Sequence, residues 1–279
     1  MQEHGYIGRR CDLCDSDANR LLFVKEGYRH VRCARCGLVF VNPISKNHLE
    51  GQLSGGTALM GEERLSSSQL SRINRELKKI ETFRQNNTFL EIGPGRGWFA
   101  RSAKNAGWET WVVEVNKAAA DALGSLGLDK VIHSPIEEVS LPSGFFDTAR
   151  LWDVIEHLVS PSRALSVIYS SLRPGGVLRL STTNFASLSR WINGQDWVYL
   201  NGADHIVLFE PATITALLRK VGFNDIQIHT RSFNMRRKRY HPEQELPPRP
   251  YILLPFRKFL DEFMRFTPYG HQMIVTAAK

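Results

Sequence analysis

The feature that most constrains this chain is an apolar run that ends in an acid and opens into three alternate glycines. It reads FLEIGPGRGWF at residues 89–99. The apolar start predicts a buried strand, and the glycines predict a tight turn into a helix. In dinucleotide-binding loops the third glycine comes three places after the second, whereas Gly97 comes two places after Gly95. Pro94 also removes an amide from the turn. The spacing therefore disfavours a pyrophosphate ligand.

Further strand-like runs follow this turn, and most of them are followed by helix-like segments. They lie at residues 110–115, 130–133, 148–152 and 177–181, with a last one at 272–277. Glu114 lies near the end of the first run, where an acid can accept hydrogen bonds from both hydroxyls of a ribose. We therefore interpret Glu114 as a ribose ligand. A surface acid at a strand end is the alternative.

The cysteines form two matched pairs, Cys11-x2-Cys14 and Cys33-x2-Cys36. This spacing is typical of a zinc ribbon, because each pair can sit on a tight turn that points two thiolates at one metal ion. Residues 20–33 predict two short strands around Glu26-Gly27. Four thiolates close the zinc tetrahedron and leave no position for water, so the predicted zinc is structural. Four unrelated buried thiols are the alternative.

Two more stretches complete a pattern known from one enzyme family. Residues 153–157 read DVIEH after a predicted strand, and residues 172–176 read LRPGG before the next. With the glycine loop and Glu114, they resemble the class I S-adenosylmethionine-dependent methyltransferases, in particular the small-molecule, ubiquinone-biosynthesis-like type. The resemblance implies an α/β fold with a Rossmann-like, doubly wound, seven-stranded sheet, here with a small N-terminal zinc ribbon. It also implies S-adenosylmethionine as the cofactor.

The resemblance assigns roles to residues at the edge where the predicted strands end. The three glycines would pass under the amino-acid end of the cofactor, and Glu91 would lie close to its ammonium group. Ile136 would pack on the adenine ring. The full set of predicted cofactor-binding residues is Glu91, Gly93, Gly95, Gly97, Glu114, Val115, Ile136, Trp152 and Asp153.

The acceptor atom is inferred from what the chain lacks. After the fourth strand, residues 152–155 lack the Asn/Asp-Pro-Pro-aromatic segment of enzymes that methylate exocyclic amines of nucleobases. Methylation of pyrimidine C5 needs a cysteine nucleophile, and all four cysteines are assigned to zinc. We therefore predict in-line methyl transfer to oxygen on a small molecule, such as a sugar, a polysaccharide precursor or a secondary metabolite.

A hydroxyl acceptor is activated by a nearby base, and histidine suits neutral pH. His157 follows the fourth predicted strand, at the rim where an α/β sheet presents its site. His205 lies shortly before a helix that Pro211 can open. We predict these two histidines as the catalytic residues; buried histidines with backbone partners are the alternative. Ligation of a divalent ion by Glu156 and His157 is a further alternative.

The chain divides into three predicted regions. Residues 1–45 form the zinc ribbon, residues 46–85 a linker and helical lid, and residues 86–279 the methyltransferase domain. Within the last region, about 236–268 is a basic and amphipathic insertion that would dock on the core, form a homodimer contact or lie on a membrane surface. An aromatic cluster before His205 is a candidate wall of the acceptor pocket; it comprises Trp191, Trp197 and Tyr199.

The charge balance indicates an anionic partner. The 36 Lys+Arg residues exceed the 28 Asp+Glu residues, for a net charge of +8. An RNA methyltransferase that binds RNA through the ribbon is therefore an alternative, as is an interaction protein without activity. No apolar stretch reaches the roughly 18 residues of a spanning helix, and the N-terminus lacks an apolar signal core. We therefore expect a cytoplasmic protein.

Overall fold

A seven-stranded sheet forms the centre of the computed structural model, which describes residues 5–45, 65–232 and 263–279. Its strand order is β12-β13-β10-β9-β6-β7-β8, and only β13 runs antiparallel to its neighbours. The strands are β6 (Thr88–Ile92), β7 (Glu109–Glu114), β8 (Lys130–His133), β9 (Phe146–Trp152), β10 (Leu172–Thr183), β12 (Asn224–Arg231) and β13 (Gln272–Ala278). The predicted α/β class with a doubly wound sheet is confirmed.

Helices cover both faces of this sheet. They are α1 (Ser67–Glu81), α2 (Trp98–Asn105), α3 (Lys117–Gly124), α4 (Pro161–Ser171), α5 (Leu188–Asn193) and α6 (Pro211–Val221). Phe89 packs among residues of α1 and α2, whereas Leu90 belongs to a cluster with residues of α4 and α6. Because consecutive strand residues point to opposite faces, these two helix pairs lie on opposite sides of the sheet. None of the helices in the described ranges combines the length and apolarity needed to cross a membrane.

An apolar stripe on α1, which lies within the predicted linker and helical lid, packs against the sheet. Ile80 is fully buried beside Phe89, and Ile73 and Leu77 pack against the same cluster. Leu70, at the start of the stripe, is exposed. Residues 46–64 of the predicted linker and lid lie outside the described residues, as do residues 233–262, which hold most of the predicted insertion.

The N-terminal region forms a second sheet that includes a strand from the C-terminal half of the chain. The strands of this sheet that belong to the N-terminal region are β2 (Asn19–Lys25), β3 (Tyr28–Cys33) and β4 (Val39–Val41), whereas β1 (Tyr6–Ile7) and β5 (Ile44–Ser45) pair with each other in a separate two-stranded sheet. β2 and β3 form the predicted hairpin, in which both Glu26 and Gly27 have positive φ. β11 (Val207–Leu208), which lies between β10 and β12 along the chain, pairs antiparallel with β4. The resulting strand order is β11-β4-β3-β2. The N-terminal region is thus continuous with the segment that follows His205.

A carboxylate of the N-terminal region caps a helix of the main fold. Asp12 accepts hydrogen bonds from the Ser162 backbone N–H at 2.7 Å and from the Ser160 hydroxyl at 2.8 Å, at the start of α4. A negative charge at a helix N-terminus is stabilised by the exposed amides and the helix dipole. Arg32 also donates to Glu210 at 2.7 Å, at the start of α6. These contacts fix the N-terminal sheet against the main sheet.

Candidate functional site

The glycine loop lies at the carboxyl end of β6, in the crevice that parallel sheets use for ligands. Gly93, Gly95 and Gly97 have φ of 59°, 57° and 69°, a region that other residues rarely adopt. A Cβ on Gly93 would lie 2.8 Å from a methyl group of Val154, and one on Gly97 would meet leucines of the α3 region at 2.6 Å. A Cβ on Gly95 would meet nothing within 4 Å. The middle of the loop therefore presents bare backbone to open space.

Glu114 lies beside this loop at the end of the neighbouring strand. The Gly93 N–H donates to the Val113 carbonyl at 2.9 Å, which joins the loop to β7. The Glu114 carboxylate is 8% exposed and accepts one hydrogen bond from the Asn116 backbone N–H at 2.9 Å. Burial raises the pKa of Glu114, against the opposing effect of the backbone hydrogen bonds it accepts. The structure thus brings Glu114 and the open glycine loop together.

Glu91 has a buried partner that the sequence-based prediction did not include. Its carboxylate is 1% exposed and forms an ion pair with Arg150, which lies opposite it on β9. The Arg150 guanidinium lies between the rings of Phe99, at 4.0 Å, and Trp152, at 4.3 Å. The other carboxylate oxygen, Oε2, is buried without a hydrogen-bond partner among the described residues. The contact of Glu91 with a ligand ammonium group stays a prediction.

The other predicted cofactor residues divide between the crevice and the core. Asp153 is exposed at the end of β9 and has φ of 55°, and unusual backbone of this kind clusters at functional sites. Trp152 and Val115 are half-buried at the same edge of the sheet. Ile136 is 3% exposed and belongs to the main core. Its predicted contact with a ring therefore requires the 134–137 segment to move.

Two predicted catalytic histidines from distant parts of the chain meet at this edge. His157 ends a short 3-10 helix, Ile155–His157, and its ring lies 4.8 Å from that of His205 at an interplanar angle of 85°. The loops that carry them are joined by a hydrogen bond of 3.0 Å from the Ile206 N–H to the Glu156 carbonyl. The Glu156 carboxylate is buried and accepts from the Thr182 hydroxyl at 2.9 Å.

The two histidines have opposite pKa shifts. Burial opposes protonation of His157, but hydrogen bonding to Asp204 and the charge of Glu156 outweigh it and raise the pKa of His157 to about 9. Burial and the neighbouring charge of His157 lower the pKa of His205 to about 4. At neutral pH His157 is therefore charged and His205 is neutral. Only a neutral imidazole can accept a proton, so the geometry favours His205 as the base.

These shifts predict a titration that needs no substrate. In carbon-detected NMR of ring-labelled protein, we expect the His205 ring to stay neutral from pH 5 to pH 9. We expect the His157 ring to lose its proton with a midpoint near 9. Asp204→Asn should lower the midpoint of His157 because it removes the carboxylate 2.9 Å from Nδ1. His157→Gln and His205→Gln identify the two resonances. Two midpoints near the ordinary histidine value would contradict the assignment.

Glu156, His157 and His205 also offer ligand atoms that all lie within 4.8 Å of one another. His157 Nδ1 is engaged by Asp204, whereas Glu156 Oε1 is buried without a hydrogen-bond partner among the described residues. Ligation of a divalent ion by this group stays an alternative to its role in proton transfer.

Sequence reasoning missed several residues that shape the site. Asp204 directly precedes His205, and this acid-histidine pair is a signal that could have been used. Tyr199 stacks on His205 at 6.2 Å and on His271 at 5.6 Å. Of the predicted aromatic cluster, the fully buried Trp197 contacts the Tyr199 ring at 5.2 Å, whereas Trp191 is 77% exposed. Only Tyr199 lines the histidine site.

The four cysteines converge at one point in the N-terminal sheet. The Sγ atoms of Cys11 and Cys36 lie 3.4 Å apart, and those of Cys14 and Cys33 lie 3.5 Å apart. All four sulfur atoms lie within 4.8 Å of one another. Zinc–sulfur bonds of about 2.3 Å in a tetrahedron place sulfur atoms about 3.8 Å apart. The cluster therefore has the donors and the dimensions of a four-thiolate metal site.

Comparison with known proteins agrees with this geometry. A family model described as a methyltransferase domain matches residues 63–228. The chain is 28% identical over 144 residues to the mitochondrial ubiquinone biosynthesis O-methyltransferase of Schizosaccharomyces pombe, covering 47% of this chain and 50% of that protein. It is 28% identical over 125 residues to the malonyl-[acyl-carrier protein] O-methyltransferase of Serratia marcescens, covering 44% and 48%. These matches span about half the length of each relative.

Solved structures share the fold. A SAM dependent methyltransferase from Archaeoglobus fulgidus superposes with a TM-score of 0.54 at 21% sequence identity, and the match covers 75% of this chain and 94% of that one. At this identity the likeness concerns the fold, with its seven-stranded sheet and the crevice at the strand ends.

Proposed function

The chain belongs to the methyltransferase-domain family, and from this premise we propose that it transfers a methyl group from S-adenosylmethionine to an oxygen atom of a small molecule. The observation that carries the proposal is the pairing of an open glycine loop with a buried acid on the next strand. Gly95 leaves room for a ligand against the backbone, and the buried Glu114 at the end of the next strand would bind the ribose of that ligand. A carboxylate can accept hydrogen bonds from both ribose hydroxyls.

When bound, S-adenosylmethionine supplies an activated methyl group and a neutral leaving group. The protein's own residues then have three tasks, namely to align the acceptor, to exclude water and to remove one proton. His205 Nε2 or Nδ1 takes the acceptor hydroxyl proton as the new carbon–oxygen bond forms and the carbon–sulfur bond breaks. His205 Nδ1 has no hydrogen-bond partner among the described residues, so no described group competes for this proton.

His157 and Asp204 position the base. Asp204 holds the His157 ring through both its carboxylate, at 2.9 Å, and its backbone carbonyl, at 3.0 Å. Burial and the charge of His157 lower the pKa of His205 and keep it neutral at neutral pH, so that its imidazole has a lone pair that accepts a proton. Tyr199 provides a flat surface beside His205, which suits a ring-shaped acceptor.

We also propose that zinc occupies the four-cysteine cluster and is structural. Its four sulfur donors are the full ligand set of closed zinc sites. The site joins the turn that precedes β2 to the turn that follows β3. In the same sheet β4 pairs with β3 and with β11, which begins two residues after His205. The metal would thus stabilise the acceptor side of the site without touching a reactant.

A small-molecule acceptor is favoured over RNA by the way the ribbon uses its cations. Arg32 is paired with Glu210, and Arg9 donates to the carbonyls of Val159 and Ile206 at 3.1 and 3.0 Å. These side chains are turned toward the main fold, which reduces the positive charge that the ribbon can offer to phosphates. Cytoplasmic location, a homodimer and a membrane contact stay predictions.

Two measurements test this proposal. Isothermal titration should show one S-adenosylmethionine site per chain, and absence of binding would end the methyltransferase assignment. The protein is then incubated with methyl-labelled S-adenosylmethionine and a cell extract divided into small-molecule, RNA and protein fractions. We expect label in the small-molecule fraction, in carbon NMR at the position of an oxygen-bound methyl group. Label confined to the RNA fraction would show that the acceptor is RNA and not a small molecule. A methyl group bound to nitrogen or carbon would show that the acceptor atom is not oxygen.

A further inference from the structure

A second concave site lies between α1 and the β10–β13–β12 part of the sheet. It is a cavity of about 330 Å³, a size that accommodates a small ligand. Its lining residues are Arg72, Arg75, Glu76 and Lys79 from α1, Arg179 from β10, His229, Thr230 and Arg231 from β12, and Ile274 from β13. The predicted cofactor residues are absent from this lining.

The cavity is strongly cationic. Five of its nine lining residues are arginine or lysine, and one is an acid. That acid, Glu76, is already engaged by Lys79 at 2.8 Å and by Arg179 at 2.5 Å. Burial opposes ionisation of Glu76, but these two partners outweigh it and lower the pKa of Glu76. No carboxylate of the described residues lies within 4 Å of Arg72 or Arg75 at the rim, so positive charge remains uncompensated.

One donor of Arg179 has no partner in the part of the chain that the structure describes. Its side chain is 7% exposed, and a buried guanidinium is costly unless its donors are paired. Nη2 donates to Glu76 and Nη1 to Thr276, but Nε is buried without a hydrogen-bond partner among the described residues. Buried unpaired donors are rare in folded proteins. An anion in the cavity would supply further acceptors and balance the excess charge.

The cavity is connected to the proposed methyl-transfer site. Arg231 lies over the Trp152 ring at 5.7 Å and donates to Gln272 at 2.8 Å. Gln272 in turn donates to Asp153 at 3.0 Å. Trp152 ends β9, and Asp153 follows it directly before the segment that carries Glu156 and His157. Arg231, which lines the cavity, therefore contacts residues at the edge of the crevice.

We propose that this cavity binds a phosphate ester group of the acceptor, so that the substrate is a small phosphorylated molecule. Guanidinium groups match the geometry and the double charge of phosphate better than isolated lysines do. The substrate assignment rests on the proposed function, whereas the anion site does not. A carboxylate would be recognised by the same donors, and the experiments below distinguish the two groups.

The binding test uses inorganic pyrophosphate as the probe, titrated calorimetrically into the full chain. We expect the Arg72→Gln/Arg75→Gln double variant to bind pyrophosphate at least about 10-fold more weakly, with a smaller salt dependence. The matched control is Lys78→Gln, because Lys78 is an exposed cation of the same helix that does not line the cavity. Equal losses in both variants, or no binding to the wild-type chain, would overturn the site.

A second arm identifies the group. Labelled product from the small-molecule fraction should be retained on an anion-exchange column and released after phosphatase treatment. If the product is still retained on the column after phosphatase treatment, the group is a carboxylate and not a phosphate ester. S-adenosylmethionine affinity should be unchanged in the double variant. Pyrophosphate binding without S-adenosylmethionine binding would remove the proposed function and keep the anion site, and the reverse result would remove only the anion site.

Discussion

Gly95→Val is expected to weaken S-adenosylmethionine binding by at least about 100-fold, equivalent to about 2.7 kcal/mol. The added side chain would project from the one position of the glycine loop where nothing lies within 4 Å, which is where the proposed ligand contacts the backbone. Because the space is empty of protein, the substitution should fill the ligand's volume without a clash in the folded chain. Calorimetric titration of the purified variant measures the effect.

The matched control for this prediction is Gly127→Val. Gly127 has φ of 69°, close to the 57° of Gly95, and a Cβ there also meets nothing within 4 Å. Both substitutions carry the same kind of backbone strain, of order 1–3 kcal/mol, so both should lower the melting temperature. Only Gly95→Val should lose the ligand. Wild-type affinity in Gly95→Val would show that the loop does not cradle the cofactor.

Removal of the metal from the four-cysteine cluster should produce the second large effect. Metal binding supplies about 10–16 kcal/mol of folding free energy in small zinc domains, so the metal-free N-terminal sheet should unfold. β4 would then no longer pair with β11, and the loop that carries His205 would lose its support. We expect rapid hydrogen exchange at residues 200–209 and a loss of methyl transfer of more than about 100-fold.

S-adenosylmethionine affinity should change little in the same metal-free protein. Gly95 lies in the loop that follows β6, and Glu114 ends β7. These two strands pair with each other and with β9 or β8, and not with the N-terminal sheet. Metal content by mass spectrometry should be one zinc per chain before chelation, and Cys33→Ser should reproduce the chelated state. Full transfer activity in metal-free protein would contradict the structural coupling.

Gly202→Ala tests the contribution of the loop before His205 independently of metal binding. A Cβ on Gly202 would lie 2.5 Å from the Tyr28 Cβ atom and 3.1 Å from the His30 ring, so the loop before His205 would be displaced from the hairpin. We expect this variant to keep its metal but to lose most transfer activity. Loss of metal from this variant would show that the hairpin itself had been disrupted.

Much of the fold could be predicted from the sequence because it depends on short-range patterns. Apolar runs and turns located six of the seven strands of the main sheet, whereas β12 was not predicted. The glycine spacing disfavoured a pyrophosphate ligand. The four cysteine sulfur atoms lie close together, as their spacing in the sequence predicted. The strand predicted at 177–181 is longer in the structure, with an irregular pairing between Leu172 and Val177, because pairing with β9 and β13 extends it.

What the sequence alone determined is the set of strand–helix units, the close backbone approach at the loop and the grouping of the cysteines, since each follows from spacing along the chain. The tertiary structure decided which charges meet. Glu91 pairs with Arg150 across 59 residues, and Asp204 sets the charge of His157 across 47. It also decided that β11 joins the ribbon and that five cations surround one cavity. Burial and pairing between distant segments fix pKa values and charge, and no local pattern encodes them.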